Sequence, residues 1–264
     1  MQFRIAIHGA AGRMGQRLVA CAAADPEVLM VAAIDAPNCP KLGQDSGTVA
    51  GIGPNEIPIT ANWSGRCDAV IDFSSPEGAK AALELCLNLR LPLVLATTGM
   101  TPEFLAELQT AAHEIPVLTA PNMSTSVNLA IYLSQMAARV MKQVGMDTDV
   151  EIVERHHRMK HDSPSGTALK FGEVIAKELN LTESVHGRHG MVGPRPKSEI
   201  GYHAVRTGDD AGQHLVIFGM LGETLEIRIA AVNRDGYARG AIAAAKFLCS
   251  RGPGMYSMSD VLGF

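Results

Sequence analysis

Residues 3–15 read F-R-I-A-I-H-G-A-A-G-R-M-G, and this stretch decides the fold. The run at 3–7 is a short apolar strand, G-A-A-G-R-M-G follows at once, and an apolar-periodic helix continues through Leu18, Val19 and Ala22. A second strand, V-L-M-V-A-A-I-D, ends at Asp35, twenty residues after Gly15. Strand, glycine turn, helix and strand with a terminal acid form a βαβ unit with the context that a dinucleotide fingerprint requires. In that reading Gly9 makes the tight turn, Gly12 admits a pyrophosphate and Gly15 lets the helix pack closely on the sheet. Arg13 adds charge toward the phosphates, and Asp35 accepts hydrogen bonds from an adenosine ribose. The plain alternative is an ordinary βα turn, with Asp35 as a strand-end cap.

The alternation continues downstream, with a strand at 69–73, a helix at 76–88, a strand at 92–96, a helix at 102–114 and a strand at 116–120. Such alternation predicts an α/β fold with a parallel, doubly wound sheet of Rossmann type. The strand ends carry F-S-S-P, A-T-T-G and A-P-N-M, small and polar turns expected on the carboxyl edge, where ligands bind in such folds. After a helix at 126–144 the character changes. D-V-E-I-V-E, S-E-I-G-Y-H-A-V-R, H-L-V-I-F-G and E-T-L-E-I-R-I-A-A-V alternate apolar and polar residues, which predicts a second α+β domain with a mostly antiparallel sheet. A helix at 165–179 interrupts it, and a final helix at 237–249 is expected to return to the first domain. The boundaries implied are 1–124 for dinucleotide binding, 125–233 for substrate binding and oligomerisation, and 234–264 for the returning segment.

Composition narrows the function classes. With 264 residues, 47% of them apolar and 19% charged, the chain can bury the cores of two modest domains. A formal net charge of −4 and the lack of a basic, aromatic-interleaved patch argue against nucleic acid as partner. No apolar run reaches membrane-spanning length and the start lacks a signal-peptide pattern, so no membrane partner and a cytoplasmic location are expected. The five cysteines are odd in number and widely spaced, which fits reduced thiols.

A second informative run, E-R-H-H-R-M-K-H-D-S-P-S-G-T-A, occupies residues 154–168. Residues 155–161 contain no acid, so the positive potential is local and suits a small anion. His156 and Lys160 can both deliver protons, and His157 adds a ring N–H donor. Pro164, Ser165, Gly166 and Thr167 resemble the first turn of a helix through Ala168, Phe171 and Ile175, whose N–H groups would bind a carboxylate. Glycine at 166 lets an anion approach the backbone. Arg155, Arg158 and His161 read as the solvated face of a loop. A metal held by His156, His157, His161 and Asp162 is conceivable, but the interleaved Arg158 and Lys160 oppose a cation, so no metal is expected.

These motifs, with I-D-F-S at 71–74, T-T-G at 97–99, A-P-N-M-S at 120–124, I-G-Y-H-A-V-R-T-G-D-D-A-G-Q-H at 200–214 and G-E-T-L-E-I at 222–227, resemble the 4-hydroxy-tetrahydrodipicolinate reductase family, formerly called dihydrodipicolinate reductase, of the diaminopimelate and lysine pathway. The resemblance spans almost the whole chain. It implies His156 as proton donor or acceptor, Lys160 as proton donor, and His157, Ser165, Gly166 and Thr167 as contacts to a small dicarboxylate. Cofactor contacts are implied for Gly9, Ala10, Ala11, Gly12, Arg13, Met14, Asp35, Ala96, Thr97, Thr98, Ala120, Pro121, Asn122 and Met123. The family's arginine after the strand-two acid is absent, because Ala36 and Pro37 follow Asp35. The implied cofactor is therefore NADH or NADPH, with NADH at least as good. Ala96 stands for the first glycine of G-T-T-G, Ile229 for a frequent histidine and Asn233 for a small hydroxyl residue. A homotetramer is also implied. Two rival readings stay open: a Rossmann dehydrogenase acting on another amino acid or semialdehyde, and a non-catalytic dinucleotide sensor.

Overall fold

The computed structural model describes residues 2–264, which fall into two compact units: the chain through Thr125 together with Arg234–Phe264, and Ser126–Asn233. The chain opens with β1 (Phe3–His8), α1 (Arg13–Ala23), β2 (Val28–Ile34), α2 (Ser46–Ala50), β3 (Ile59–Thr60), β4 (Ala69–Asp72), α3 (Pro76–Leu89), β5 (Leu93–Leu95), α4 (Pro102–Ala111) and β6 (Pro116–Thr119). It continues with α5 (Thr125–Gln143), β7 (Asp149–His156), α6 (Gly166–Leu179), β8 (Glu183–His186), β9 (Glu199–Arg206), β10 (Gln213–Met220) and β11 (Glu223–Ala230). It ends with α7 (Asp235–Leu248), β12 (Gly254–Tyr256) and α8 (Met258–Leu262).

In the first unit the strand order is β12-β6-β5-β4-β1-β2-β3, and every pairing is parallel. Direction reverses between β1 and β4, so the crevice of a doubly wound sheet opens at their carboxyl ends. Alternate residues of β1 serve opposite faces. Ile5 and Ile7 join Leu18, Val19, Ala241, Ala245 and Leu248 of α1 and α7, whereas Ala6 joins Ala82, Leu83, Phe104 and Leu108 of α3 and α4. Both faces are thus covered, which is why the strands read as continuous apolar runs. Helices α3 and α4 share a start signal: Ser75 and Thr101 accept from the N–H groups of Gly78 and Phe104, with proline at the first helical position. Helix α4 stops at Ala111 rather than 114 because His113 N–H and Glu114 N–H bond back to Thr110 and Ala111 in tighter turns. The connection at 37–58 carries α2, capped by Asp45.

The second unit has a five-stranded sheet in the order β11-β10-β7-β9-β8. Its β10–β11 and β10–β7 pairings are antiparallel, but β7–β9 and β8–β9 are parallel. The sheet is therefore mixed, not mostly antiparallel. The cause is α6, which carries the chain across the sheet between β7 and the strands beyond it, as parallel pairing demands. Phe171 and Ile175 of α6 meet Ile152, Tyr202, Val216 and Phe218 from the sheet and Ala138 and Met141 from α5 in one core.

Candidate active site

The candidate cofactor residues lie at the carboxyl ends of the first unit's strands. The turn from Gly9 to Gly12 joins β1 to α1, which Arg13 and Met14 open, and Gly9 has φ +79°, where a side chain would be strained. A Cβ on Gly15 would come within 2.0 Å of the Gly9 carbonyl oxygen, so helix and turn touch backbone to backbone. Gly12 is the N-cap of α1, with no capping side chain and no acid in the first turn, while Arg13 is exposed. An uncapped, positively polarised helix start beside a tight turn fits a pyrophosphate.

Asp35, just past β2, is already engaged: its carboxylate accepts from Ala11 N–H at 2.8 Å and Ala36 N–H at 2.9 Å. Lys41 Nζ donates to the Ala11 carbonyl at 3.3 Å, which sets a cation on this same turn from a residue the sequence reading passed over. After β5, Ala96 and Thr97 are buried and Thr98 is exposed. The Thr97 hydroxyl donates to Asp72 and accepts from Ser74 N–H at 2.8 Å. Asp72 also accepts from Ser74 Oγ at 2.6 Å and lies 2.8 Å from His8 Nδ1. Thr97 therefore clamps two strand-end turns with its side chain and presents only backbone to the edge. Ala10 is buried, as are Ala120 and Met123 beyond β6, Pro121 is exposed, and Asn122 accepts from Ser124 N–H at 2.9 Å.

The second unit gathers the other candidates at the end of β7. Positions 150, 152 and 154 alternate onto the buried face, so Glu154 follows Val150 and Ile152 inward and is 1% exposed. A lone carboxylate there would be costly, but every partner it has is a donor. Arg206 of β9 donates to both oxygens, at 2.8 and 2.6 Å, Ser165 N–H donates at 3.1 Å, and His156 Nδ1 lies 2.6 Å away. Burial works against the charge, yet the hydrogen bonds from Arg206 and His156 outweigh it and hold the Glu154 carboxyl below the usual range. Burial lowers His156 from its ordinary value, with Glu154 pulling the other way. The ring nitrogen that meets the carboxylate is Nδ1, which leaves Nε2 on the other side of the imidazole.

Opposite that bond, Gly212 lies against His156 Nε2. Its φ is +126°, and a Cβ there would stand 2.8 Å from the nitrogen. The buried ring of His214 meets His156 edge-on at 5.3 Å and is pushed down to about 4, chiefly by burial, so it adds no charge. Lys160 Nζ pairs with Asp162 at 2.8 Å. His157 is anchored through its backbone N–H to the Asp210 carbonyl, and its Nδ1 is buried with no protein partner among the described residues. Ser165 is the N-cap of α6 and accepts from Ala168 N–H at 3.2 Å, which sets Gly166 and Thr167 in the first helical turn. A Cβ on Gly166 would meet nothing within 4 Å. Packing does not demand that glycine, which leaves open space beside the helix start.

The expected excess of positive charge is largely answered by acids. Arg155 pairs with Asp210, Lys160 with Asp162, and His156 with Glu154. Arg158 and His161 are exposed. Among the described residues no three His, Cys, Asp or Glu side chains are grouped to hold a metal, and no helix is long and apolar enough to cross a membrane. The sequence reading missed Glu154, Arg206, Gly212 and His214. Only Glu154 left a signal, as an acid two residues before His156 on the apolar face of a strand.

The family model described as dihydrodipicolinate reductase, N-terminus, matches residues 3–123, and its C-terminus counterpart matches residues 126–262. A 4-hydroxy-tetrahydrodipicolinate reductase of Rhodopirellula baltica is 52% identical, covering 98% of this chain and 95% of its own. One from Methylococcus capsulatus is 45% identical, covering 100% and 99%. The solved structure of a dihydrodipicolinate reductase from Paenisporosarcina sp. TG-14 has the same fold, with a TM-score of 0.76, 24% identity and coverage of 97% and 98%. On the match of both models and on these full-length relatives, the chain belongs to the dihydrodipicolinate reductase family.

Proposed function

We propose that the chain reduces 4-hydroxy-tetrahydrodipicolinate to tetrahydrodipicolinate, with NADH or NADPH as reductant, in diaminopimelate and lysine biosynthesis. The observation that carries this reading is that His156 and the N-terminal turn of α6 both bond to the buried Glu154, with Lys160 held by Asp162 in the same run. Proton-transfer groups beside a positively polarised helix start suit a dicarboxylate that must gain a proton. When bound, the nicotinamide supplies a hydride. Gly9, Ala10, Ala11, Gly12, Arg13 and Met14 would hold its pyrophosphate, Asp35 its adenosine ribose, and Ala96 to Thr98 with Ala120 to Met123 its nicotinamide end.

The chain's own residues divide the remaining work. His157, Ser165, Gly166 and Thr167 hold the carboxylates through N–H and hydroxyl donors at a polarised helix start. Lys160 carries a proton beside them, and His156 moves one at Nε2, since Nδ1 is engaged by Glu154. One hydride and one proton enter the ring while one water leaves, so the sum is substrate, reduced nucleotide and a proton going to product, oxidised nucleotide and water.

Asp35 repels a 2′-phosphate and Lys41 attracts one from the same turn, which supports use of both nucleotides with NADH at least as good. A cytoplasmic homotetramer belongs to the same reading, and light scattering checks the assembly. The function itself is tested by supplying the product of dihydrodipicolinate synthase with each nucleotide and following its oxidation. Nucleotide oxidation dependent on that substrate, with tetrahydrodipicolinate formed, supports the proposal. Absence of oxidation with both nucleotides overturns it.

A further inference from the structure

We propose that Glu154 is a positioning residue which, held by Arg206 and the Ser165 backbone, fixes His156 in the Nδ1–H tautomer and reserves Nε2 for proton transfer. The inference rests on His156 acting in turnover, as proposed above. Its ground is the bonding of one buried carboxylate. Arg206 Nη1 and His156 Nδ1 meet Oε2, while Arg206 Nη2 and Ser165 N–H meet Oε1. Three of these partners are donors by constitution. A guanidinium accepts nothing, and a backbone N–H only donates. The imidazole alone has a choice, and a carboxylate at 2.6 Å decides it by accepting a proton from Nδ1.

Position is set by the same group. Arg206 also donates to the Asp162 carbonyl at 2.7 Å, so the arginine ties the segment before α6 to the strand that carries His156. Through Ser165, Glu154 links the helix start that would receive a carboxylate to the ring that would move the proton. On the far side of the ring, Gly212 leaves Nε2 uncovered where any side chain would crowd it.

Glu154→Gln isolates the effect, because it keeps the shape and removes the charge. Its amide NH2 meets an Arg206 nitrogen at either position, and only on the Oε2 side can the second partner adapt, His156 moving its proton to Nε2 and accepting at Nδ1. The tautomer is read by NMR of isotope-labelled histidine, and kcat and KM are measured in parallel for Glu154→Gln, Glu154→Asp and His156→Asn. Circular dichroism and the melting transition serve as the control for folding.

The expected result is an Nδ1–H imidazole in the parent and an Nε2–H or mixed imidazole in Glu154→Gln. That variant should lose about 100-fold or more in kcat with little change in KM, the scale of a misdirected acid–base group. Glu154→Asp, which keeps the charge, should recover part of the loss and retain the Nδ1–H form, and it serves alone if the glutamine variant does not fold. Loss of turnover in His156→Asn with full turnover in Glu154→Gln overturns the positioning role only. An unchanged tautomer in Glu154→Gln, or a loss confined to KM, also overturns it. Full turnover in His156→Asn overturns the reading of the site, and this inference with it.

Discussion

Replacing Arg206 with leucine tests whether the ion pair beneath the site is held by charge or merely by packing. The substitution removes two hydrogen bonds to a carboxylate that is 1% exposed, and two more to the carbonyls of Asp162 and Val205. Removing one partner of a buried pair costs about 3–5 kcal/mol, because the other charge stays desolvated. Arg206 keeps 20% of its side chain exposed and Glu154 retains two donors, so the low end, about 3 kcal/mol, is expected. For a unit of this size that lowers the melting transition by on the order of 10 °C.

The sign with pH follows from Glu154, whose carboxyl is held below its free value in the folded chain. Its contribution is present above the free carboxylate range and drains away as pH falls through the folded value. The variant lacks the arginine that contributes to this depression. The stability gap between parent and Arg206→Leu should therefore be full at neutral pH and shrink in acid. Calorimetry across that range measures it. A gap that is absent at neutral pH, or as large in acid as at neutrality, would refute the electrostatic account.

Three further outcomes follow from the geometry. Gly15→Ala pushes a Cβ to 2.0 Å from the Gly9 carbonyl and should abolish nucleotide binding in a fluorescence titration, whereas Gly166→Ala meets nothing within 4 Å and should leave the melting temperature unchanged while raising KM for the dicarboxylate. Lys41→Ala should lower kcat/KM with NADPH by about tenfold, the worth of one exposed charge contact or slightly more, and leave NADH unchanged; equal losses with both would place Lys41 in the fold instead. Gly212→Ala crowds His156 Nε2 at 2.8 Å and should cut kcat without altering nucleotide affinity, as steady-state kinetics beside a binding titration would establish.

The parallel sheet was legible because its strands are buried on both faces and its helices announce themselves with Ser-Pro and Thr-Pro starts. Pairing in the second unit was less legible. Alternation along β7, β9 and β10 reports which face each residue takes but not which way neighbouring strands run, and the crossover by α6 made half the pairings parallel. The same limit applies to the site. His156, His157, Lys160 and the Ser165 turn lie within one run, so the sequence displays them together. Arg206 and His214 reach that run only through strand register, at Arg206 beside His156 and His214 beside Glu154. The local positive charge is answered partly within the run, by Glu154 and Asp162, and partly by Asp210, which pairs with Arg155 from 55 positions away in sequence. Glu154, by contrast, was readable as a charged residue on an apolar face.

The most direct test of the central claim is turnover and NADH binding in the His156→Ala, Lys160→Ala double variant beside the parent, with substrate generated in the assay. The account predicts that the parent oxidises NADH only when substrate is supplied, and that the double variant loses at least about 100-fold in kcat while binding NADH as the parent does. Unchanged turnover in the double variant would contradict it.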